Sequence, residues 1–231
     1  MEDQGLPRRI VAEFVGTAFL LISVIGSGIA ASRLSPNDVG LQLLENAMAT
    51  AAALVAIISA LGPVSGAHLN PVVTLVDHLL GGVRRVEGLA YMAAQTVGAI
   101  VGVIVANLMF GLPAIQVSRM QRSGSGLWLG ESVATIGLVL IVFGMVRSRR
   151  QSLIPLAVGA YIGGAYFFTS STSFANPAVA IARTLSDTFA GIAPASAPAF
   201  IVAELGGCLL GFLLVRFLYP EPGRGDPTLL S

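Results

Sequence analysis

The chain has 231 residues, of which 55% are hydrophobic and 11% are charged, and its formal net charge is +1. Soluble domains carry about 25% charged residues, so this composition excludes an ordinary soluble protein and predicts a membrane protein. We expect residues 1–231 to form a single membrane domain, which leaves no room for a soluble enzyme domain.

Six apolar runs approach the length that a membrane-spanning helix requires, which is about 20 residues. They cover residues 10–31, 43–61, 89–112, 127–146, 153–168 and 198–219, and the fifth is the shortest. The sequence therefore predicts a multi-pass, all-α membrane protein with six transmembrane helices.

The first run is not expected to be a cleaved leader, because leader cores are about 7–15 apolar residues long. This run passes that length and contains Glu13. The single cysteine, Cys208, lies in an apolar run and excludes both an intramolecular disulfide and a cysteine metal cluster. We therefore expect no metal, no cofactor and no catalytic residues.

All 13 basic residues are arginines, and their distribution predicts the orientation of the chain. With six spans, the arginines at 8–9, 84–85, 147 and 149–150 fall on one face, which the positive-inside rule makes cytoplasmic. Both termini should then be cytoplasmic, and the polar tail at 220–231 should be disordered. We expect membrane lipids and small solutes as partners, and no nucleic acid.

An internal repeat relates the two halves of the chain. "AEFVGT" at 12–17 matches "GESVAT" at 130–135, which pairs Glu13 with Glu131, and each half then carries one Asn-Pro pair. Repeat 1 covers about 8–112 and repeat 2 about 126–219, with three spans each. Because three is an odd number, the halves enter the membrane from opposite faces and form an inverted repeat, which places a site at the midplane.

The Asn-Pro pairs, Asn70-Pro71 and Asn176-Pro177, are typical starts of helices, since Asn is a favoured N-cap and Pro a favoured first residue. Each predicts a helix of about eight to eleven residues, about half the thickness of the membrane. Two such half-helices would meet at their N-termini, where the helix dipoles repel cations. The two asparagine amides would offer donors to a neutral polar solute.

These motifs, "SGAHLNPVVTL" at 65–75 and "FANPAV" at 174–179, resemble those of the aquaporin and aquaglyceroporin family, the major intrinsic proteins. The resemblance implies an aquaporin-like bundle of six transmembrane helices plus two half-helices, assembled as a homotetramer with one pore per subunit. It implies passive conduction of small uncharged solutes. Asn70 and Asn176 would be donors at the pore centre, and Glu13 and Glu131 structural carboxylates that accept hydrogen bonds from loop backbone N–H groups.

The sequence departs from the family pattern twice. Its first motif ends in Val72 where the second has the usual Ala178, and Val179 stands where the family usually has a filter arginine. The usual family spacing places the other three filter positions at Thr50, Gly164 and Ser173. A filter of these four residues would be wide, uncharged and without an aromatic ring.

Arg183 lies one helical turn after Val179. It would either place a positive charge at the outer mouth or extend to the lipid headgroups. The sequence leaves both alternatives open.

The stretch around the second motif resembles a bacterial branch of aquaglyceroporins associated with arsenic resistance. This resemblance implies a channel of the bacterial inner membrane for glycerol-like solutes, water and neutral trivalent arsenicals, methylated ones included. The alternatives are a general glycerol and water facilitator without a metalloid role, and a secondary transporter. For a transporter, His68 would be the one ionisable candidate beside the motifs.

Overall fold

The structure is a computed structural model that describes residues 5–220. Residues 1–4 and nearly all of the tail predicted to be disordered lie outside that range. Within it the chain forms eight α-helices and no β-strand. The helices are α1 (Leu6–Leu34), α2 (Val39–Ser65), α3 (Pro71–Leu79), α4 (Arg85–Met109), α5 (Ser125–Arg147), α6 (Ile154–Phe168), α7 (Pro177–Ala182) and α8 (Ala197–Leu218).

Six of these elements are long and apolar enough to cross a membrane: α1, α2, α4, α5, α8, and α6 together with the 3-10 turn Gln151–Leu153 that precedes it. They correspond to the six predicted spans. The order of two long helices, one short helix and one long helix occurs twice. The predicted all-α fold is thereby confirmed.

The two halves also pack alike, since α1 lies against α4 and α2, and α5 lies against α8 and α6. Glycines allow the closest of these approaches. A Cβ on Gly98 of α4 would collide with the carbonyl oxygen of Phe14 in α1, and one on Gly207 of α8 would lie 2.6 Å from the carbonyl oxygen of Ser132 in α5. Helix backbones that approach through small residues are typical of membrane bundles.

Both short helices begin at an asparagine cap. The side-chain oxygen of Asn70 accepts a hydrogen bond from Val72 N at 2.9 Å, and that of Asn176 accepts one from Ala178 N at 3.1 Å. A proline is the first residue of each helix.

The first half-helix has nine residues, as predicted, but the second has only six. The second continues as a single 3-10 turn, Arg183–Leu185. Backbone N–H groups of the α4–α5 loop bond to the end of this turn. Gln116 N donates to Leu185 O and Ser118 N to Thr184 O, so these carbonyls are used outside the helix.

Candidate solute pathway

The two Asn-Pro motifs meet in the middle of the bundle. Asn70 Nδ2 donates a hydrogen bond to the carbonyl oxygen of Ala175 at 2.7 Å, and Asn176 Nδ2 donates one to the carbonyl oxygen of Leu69 at 2.9 Å. A side-chain amide has two donor hydrogens, so one remains on each asparagine after this exchange. Both asparagines border the same central cavity.

Glu13 holds the loop before the first motif. Its carboxylate is fully buried and accepts hydrogen bonds from His68 N at 3.0 Å and from Leu69 N at 2.7 Å. The Ser65 hydroxyl and the Gln95 amide donate to it as well, at 2.6 and 2.7 Å. The carboxylate thus satisfies backbone donors that a non-helical segment exposes within the bundle.

Glu131 and Glu204 do the same for the second loop. Glu131 accepts from Phe174 N at 2.9 Å and from Ala175 N at 2.7 Å, while Glu204 accepts from Asn176 N at 3.0 Å. Both carboxylates are fully buried.

The loops that these carboxylates hold contain five non-glycine residues with a left-handed backbone conformation, namely Ala67, Leu69, Thr172, Ser173 and Ala175. This conformation is uncommon for non-glycine residues, and surrounding contacts must maintain it. Hydrogen bonds from these loops to the buried carboxylates supply such contacts.

Sequence reasoning missed two residues of these networks, Gln95 and Glu204. Each is a polar residue inside an otherwise apolar span, which is the one signal that could have indicated them. The sequence alone does not show which polar residues inside the spans reach the loops, because that depends on which helix face is turned toward the loops.

A cavity of about 830 Å³ lies within the bundle, and both asparagines border it. Its polar and charged lining residues include Asp77, Gln151, Tyr166 and Arg183. Apolar side chains form most of its wall, among them Leu20, Leu54, Ile58, Leu138, Val158 and Ile162. An apolar wall with a few polar groups is typical of a site for a small molecule.

Three of the four residues predicted to form the filter line this cavity, namely Thr50, Ser173 and Val179. The prediction for Gly164 is wrong, because Gly164 is exposed on another face of α6. The residues of α6 that line the cavity follow one helical face up to Ile162 and Tyr166. Gly164 is two residues away from each, about 200° around the helix.

Tyr166 therefore occupies the position along α6 that spacing from the motif gave to Gly164. Its ring is buried, and its hydroxyl lies 3.2 Å from Thr50 Oγ1. Tyr166 therefore adds an aromatic ring to the cavity wall, which the four predicted filter residues do not contain. Ser173 also lines the cavity, and its buried Oγ has no hydrogen-bond partner among the described residues.

Arg183 also lines the cavity and is only 2% exposed. Its guanidinium carbon lies 3.5 Å from the centre of the Phe174 ring, and its Nε donates to the carbonyl oxygen of Ala190. The alternative in which Arg183 extends to the lipid headgroups is therefore wrong.

A second arginine, Arg122 of the α4–α5 loop, contacts the same Phe174 ring at 5.4 Å but does not line the cavity. It donates to the carbonyl oxygens of Gly191 and Phe189, at 2.9 and 3.2 Å. Burial lowers the pKa of Arg122. It fixes the loop that also holds Arg183 through Ala190.

The remaining motif residues pack and do not face the cavity. Val72 and Ala178 are fully buried, and neither they nor the two motif prolines line the cavity. His68 borders it, with Nδ1 3.1 Å from Thr74 Oγ1 and Nε2 3.9 Å from an Asp77 oxygen.

Comparisons with known proteins agree with this architecture. The model of the family described as "Major intrinsic protein" matches residues 2–173. The chain is 47% identical to Aquaglyceroporin AqpS of Rhizobium meliloti (strain 1021), with 97% of this chain and 95% of that protein covered. It is 30% identical to a probable aquaporin, NIP7-1 of Arabidopsis thaliana, with coverages of 97% and 83%.

Among solved structures, the aquaglyceroporin of Plasmodium falciparum matches with a TM-score of 0.72. The alignment covers 94% of this chain and 96% of that one at 20% identity. At that identity the likeness shows the fold alone.

Proposed function

The chain belongs to the major intrinsic protein family and is an aquaglyceroporin-type channel, not an enzyme, and we propose that it conducts glycerol-like solutes, water and trivalent arsenicals, methylated ones included. The observation that carries the proposal is the cavity of about 830 Å³ that both motif asparagines border. After their exchange with the opposite loops, the amides of Asn70 and Asn176 retain donor hydrogens for a passing solute.

The substrate class follows from charge and shape. Trivalent arsenic in neutral water is an uncharged trihydroxy molecule, so it presents hydroxyl groups at spacings close to those of a small polyol. The two half-helix N-termini at the centre disfavour cations and leave neutral hydroxylated solutes acceptable. Val179, at the position of the usual family arginine, takes up less of the cavity and would permit methyl-bearing solutes.

Proteoliposomes that contain the purified channel test this function. Swelling and uptake would be measured for water, glycerol, urea, arsenite and methylated arsenite, with protein-free liposomes as the control. We expect glycerol and arsenite to enter faster than in the control at every transmembrane pH gradient. Glycerol entry without arsenite entry would indicate the general facilitator, and flux that follows the pH gradient would indicate a transporter.

We also propose that the channel is a homotetramer in a bacterial inner membrane with both termini cytoplasmic. Arg9 and Glu87 lie 3.6 Å apart and join the start of α1 to the start of α4, so these arginine-bearing segments share one face. Cys208 is buried, so a cysteine introduced at Ser148 or Ser35 could be labelled selectively. Labelling from the cytoplasm at Ser148→Cys but not at Ser35→Cys would support the orientation, and native mass spectrometry would give the oligomeric state.

A further inference from the structure

We infer that Glu204 is a protonated carboxylic acid in the folded protein and that it shares its proton with the carboxylate of Glu131. Together they position the backbone of the loop that carries Asn176. We call Glu131 and Glu204 the carboxyl pair. Neither residue lines the central cavity, so the pair acts on the loop and not on the solute itself.

The two carboxyl groups lie side by side, because they bind neighbouring backbone N–H groups of one loop. Glu131 accepts from Phe174 N and Ala175 N, one through each oxygen. Glu204 accepts from the next group along the chain, Asn176 N, through Oε1. Successive Cα atoms are only about 3.8 Å apart, so acceptors on successive N–H groups are close neighbours. The two side chains accordingly interact with each other.

Burial makes a second negative charge in this place costly. Both side chains are fully buried, and neither forms an ion pair with an arginine or histidine within residues 5–220. Arg183 attracts a charge on Glu204, but Glu131 opposes that charge more strongly. Two carboxyl groups that share a buried site keep one proton between them, because both cannot ionise at such a short separation.

The surrounding charges and hydrogen bonds place this proton on Glu204. Arg122 and Arg183 both interact with the charge of Glu131, and both oxygens of Glu131 accept from backbone N–H groups. Glu204 Oε2, in contrast, is buried, and no described residue donates to it. An ionised carboxyl group has only acceptors, whereas a protonated one gains a donor. A proton on Oε2 therefore gives that atom a partner, the adjacent carboxylate of Glu131.

The first repeat contains the same arrangement with an amide in place of the acid. Gln95 in "YMAAQTVGAIVG" corresponds to Glu204 in "FIVAELGGCLLG", since glycines follow three and seven residues later in both. Gln95 Nε2 donates to Glu13 Oε2 at 2.7 Å, and Glu13 is the counterpart of Glu131. Glu204 has nearly the shape of Gln95 but supplies the same donor only when it is protonated. The proton thus makes the second repeat chemically equivalent to the first.

The consequence for the channel lies at Asn176. Its backbone N–H is bound by Glu204, while its side chain caps α7 and donates to Leu69 O. With one proton in the carboxyl pair, three successive N–H groups are bound at the cost of a single buried negative charge. Without it, repulsion between two carboxylates would drive Glu204 away from Asn176 N and release the start of α7.

Infrared difference spectroscopy of the purified full-length channel in detergent tests the proton directly. A protonated carboxyl group has a carbonyl stretching band that a carboxylate lacks, so Glu204→Gln should remove one such band from the wild-type spectrum at neutral pH. Glu87→Gln is the matched control, because Glu87 is ion-paired with Arg84 and Arg9 at 2.8 and 3.6 Å and should contribute no such band. If Glu204→Gln removes no band, the inference is overturned.

Two amide variants test which member of the carboxyl pair holds the proton. Glu204→Gln keeps the acceptor for Asn176 N and replaces the O–H donor by an N–H donor, so its melting temperature should equal or exceed that of the wild type. Glu131→Gln turns one acceptor of a backbone N–H group into a second donor, so it should melt several degrees lower. An equal fall in both variants would overturn the inference.

Glu204→Leu removes the donor and the acceptor together. It should lower the melting temperature and slow glycerol entry into proteoliposomes, because Asn176 N then has no partner. Wild-type melting and flux in this variant would show that Glu204 does not position the loop. Should Glu204→Leu or Glu131→Gln not fold, the infrared band and the melting temperature of Glu204→Gln carry the test.

The infrared band and the melting temperatures do not depend on conduction, so failure of this inference is distinguishable from failure of the proposed function. A wild-type protein that shows the band but conducts no solute would refute the channel function and leave the carboxyl pair intact. A wild-type protein that conducts but lacks the band would refute the carboxyl pair alone.

Discussion

Asn176 of the second half donates a hydrogen bond from its side-chain amide to the carbonyl oxygen of Leu69 in the first half, at 2.9 Å. Asn70 returns the bond to Ala175 at 2.7 Å. Each asparagine also caps its own half-helix through its side-chain oxygen. Each of the two asparagines thus starts a helix, joins the two repeats and presents a donor to the cavity.

Asn176→Asp tests this arrangement. A carboxylate keeps the cap but loses the amide donor to Leu69, and it adds a negative charge where two helix N-termini meet. We expect lower glycerol flux and a higher cation leak, measured by swelling and by electrical conductance of reconstituted bilayers. Asn176→Gln is the uncharged comparison and should not raise the leak. A well-folded Asn176→Asp variant with wild-type flux and leak would remove Asn176 from the pathway.

Glu131→Ala and Glu13→Ala should reduce stability more than selectivity. Each change removes the acceptor of two backbone N–H groups in a non-helical segment, at about 1–3 kcal/mol for each unsatisfied buried donor. Thermal unfolding in detergent, followed by size-exclusion chromatography, would measure the loss. Glu45→Ala is the control, because within residues 5–220 Glu45 accepts a hydrogen bond from the Ser35 hydroxyl alone and from no backbone N–H group. Unchanged melting of both variants would show that the carboxylates do not hold the loops.

Variants at two adjacent glycines of α8 test helix packing and helix propensity independently. A Cβ on Gly207 would meet Ser132 O at 2.6 Å and Thr135 Cβ at 2.9 Å, whereas one on Gly206 meets nothing within 4 Å. We expect Gly207→Ala to destabilise by about 1–3 kcal/mol through overpacking. Gly206→Ala should be neutral or stabilising by up to about 1 kcal/mol, because Ala favours a helix. Equal melting temperatures for the two variants would contradict the close α5–α8 contact.

The spans and the two half-helices could be predicted because their signals are local. An apolar run of about 20 residues predicts a span wherever it occurs, and an Asn-Pro pair predicts a capped helix start from its own chemistry. The length of α7 could not be predicted in this way. The helical segment does not continue past Leu185, where the α4–α5 loop, distant in sequence, bonds to Thr184 O and Leu185 O.

The filter shows where counting along the sequence fails. The offset from Asn176 back to Gly164 assumes a fixed path for the loop between α6 and the motif. In the structure this loop passes through the left-handed residues Thr172, Ser173 and Ala175. These conformations set how far the chain advances, and they depend on hydrogen bonds to α5 and α8. A shift of two residues brings Tyr166 to the cavity in place of Gly164.

Val179→Arg tests the remaining part of the filter. Val179 is 5% exposed, lines the cavity and lies one turn before Arg183. A second guanidinium here would narrow the section and add a charge beside the one already present. We expect methylated arsenicals to be slowed first, glycerol and arsenite next, and water least, because size and donor geometry decide entry. Flux of each solute at matched protein levels is the measurement.

Val179→Leu separates bulk from charge in this experiment. Leucine adds one methylene without a charge or a donor, so a fall in methylated arsenical flux that leucine shares is steric. A further fall in this flux that only Val179→Arg shows would report the second charge beside Arg183. The double variant Val179→Arg/Arg183→Gln should then recover part of the flux. If Val179→Arg folds and conducts every solute like the wild type, Val179 does not border the solute pathway. If Val179→Arg fails to fold, while Val179→Leu folds and conducts every solute as the wild type does, Val179 serves only in packing against its neighbours.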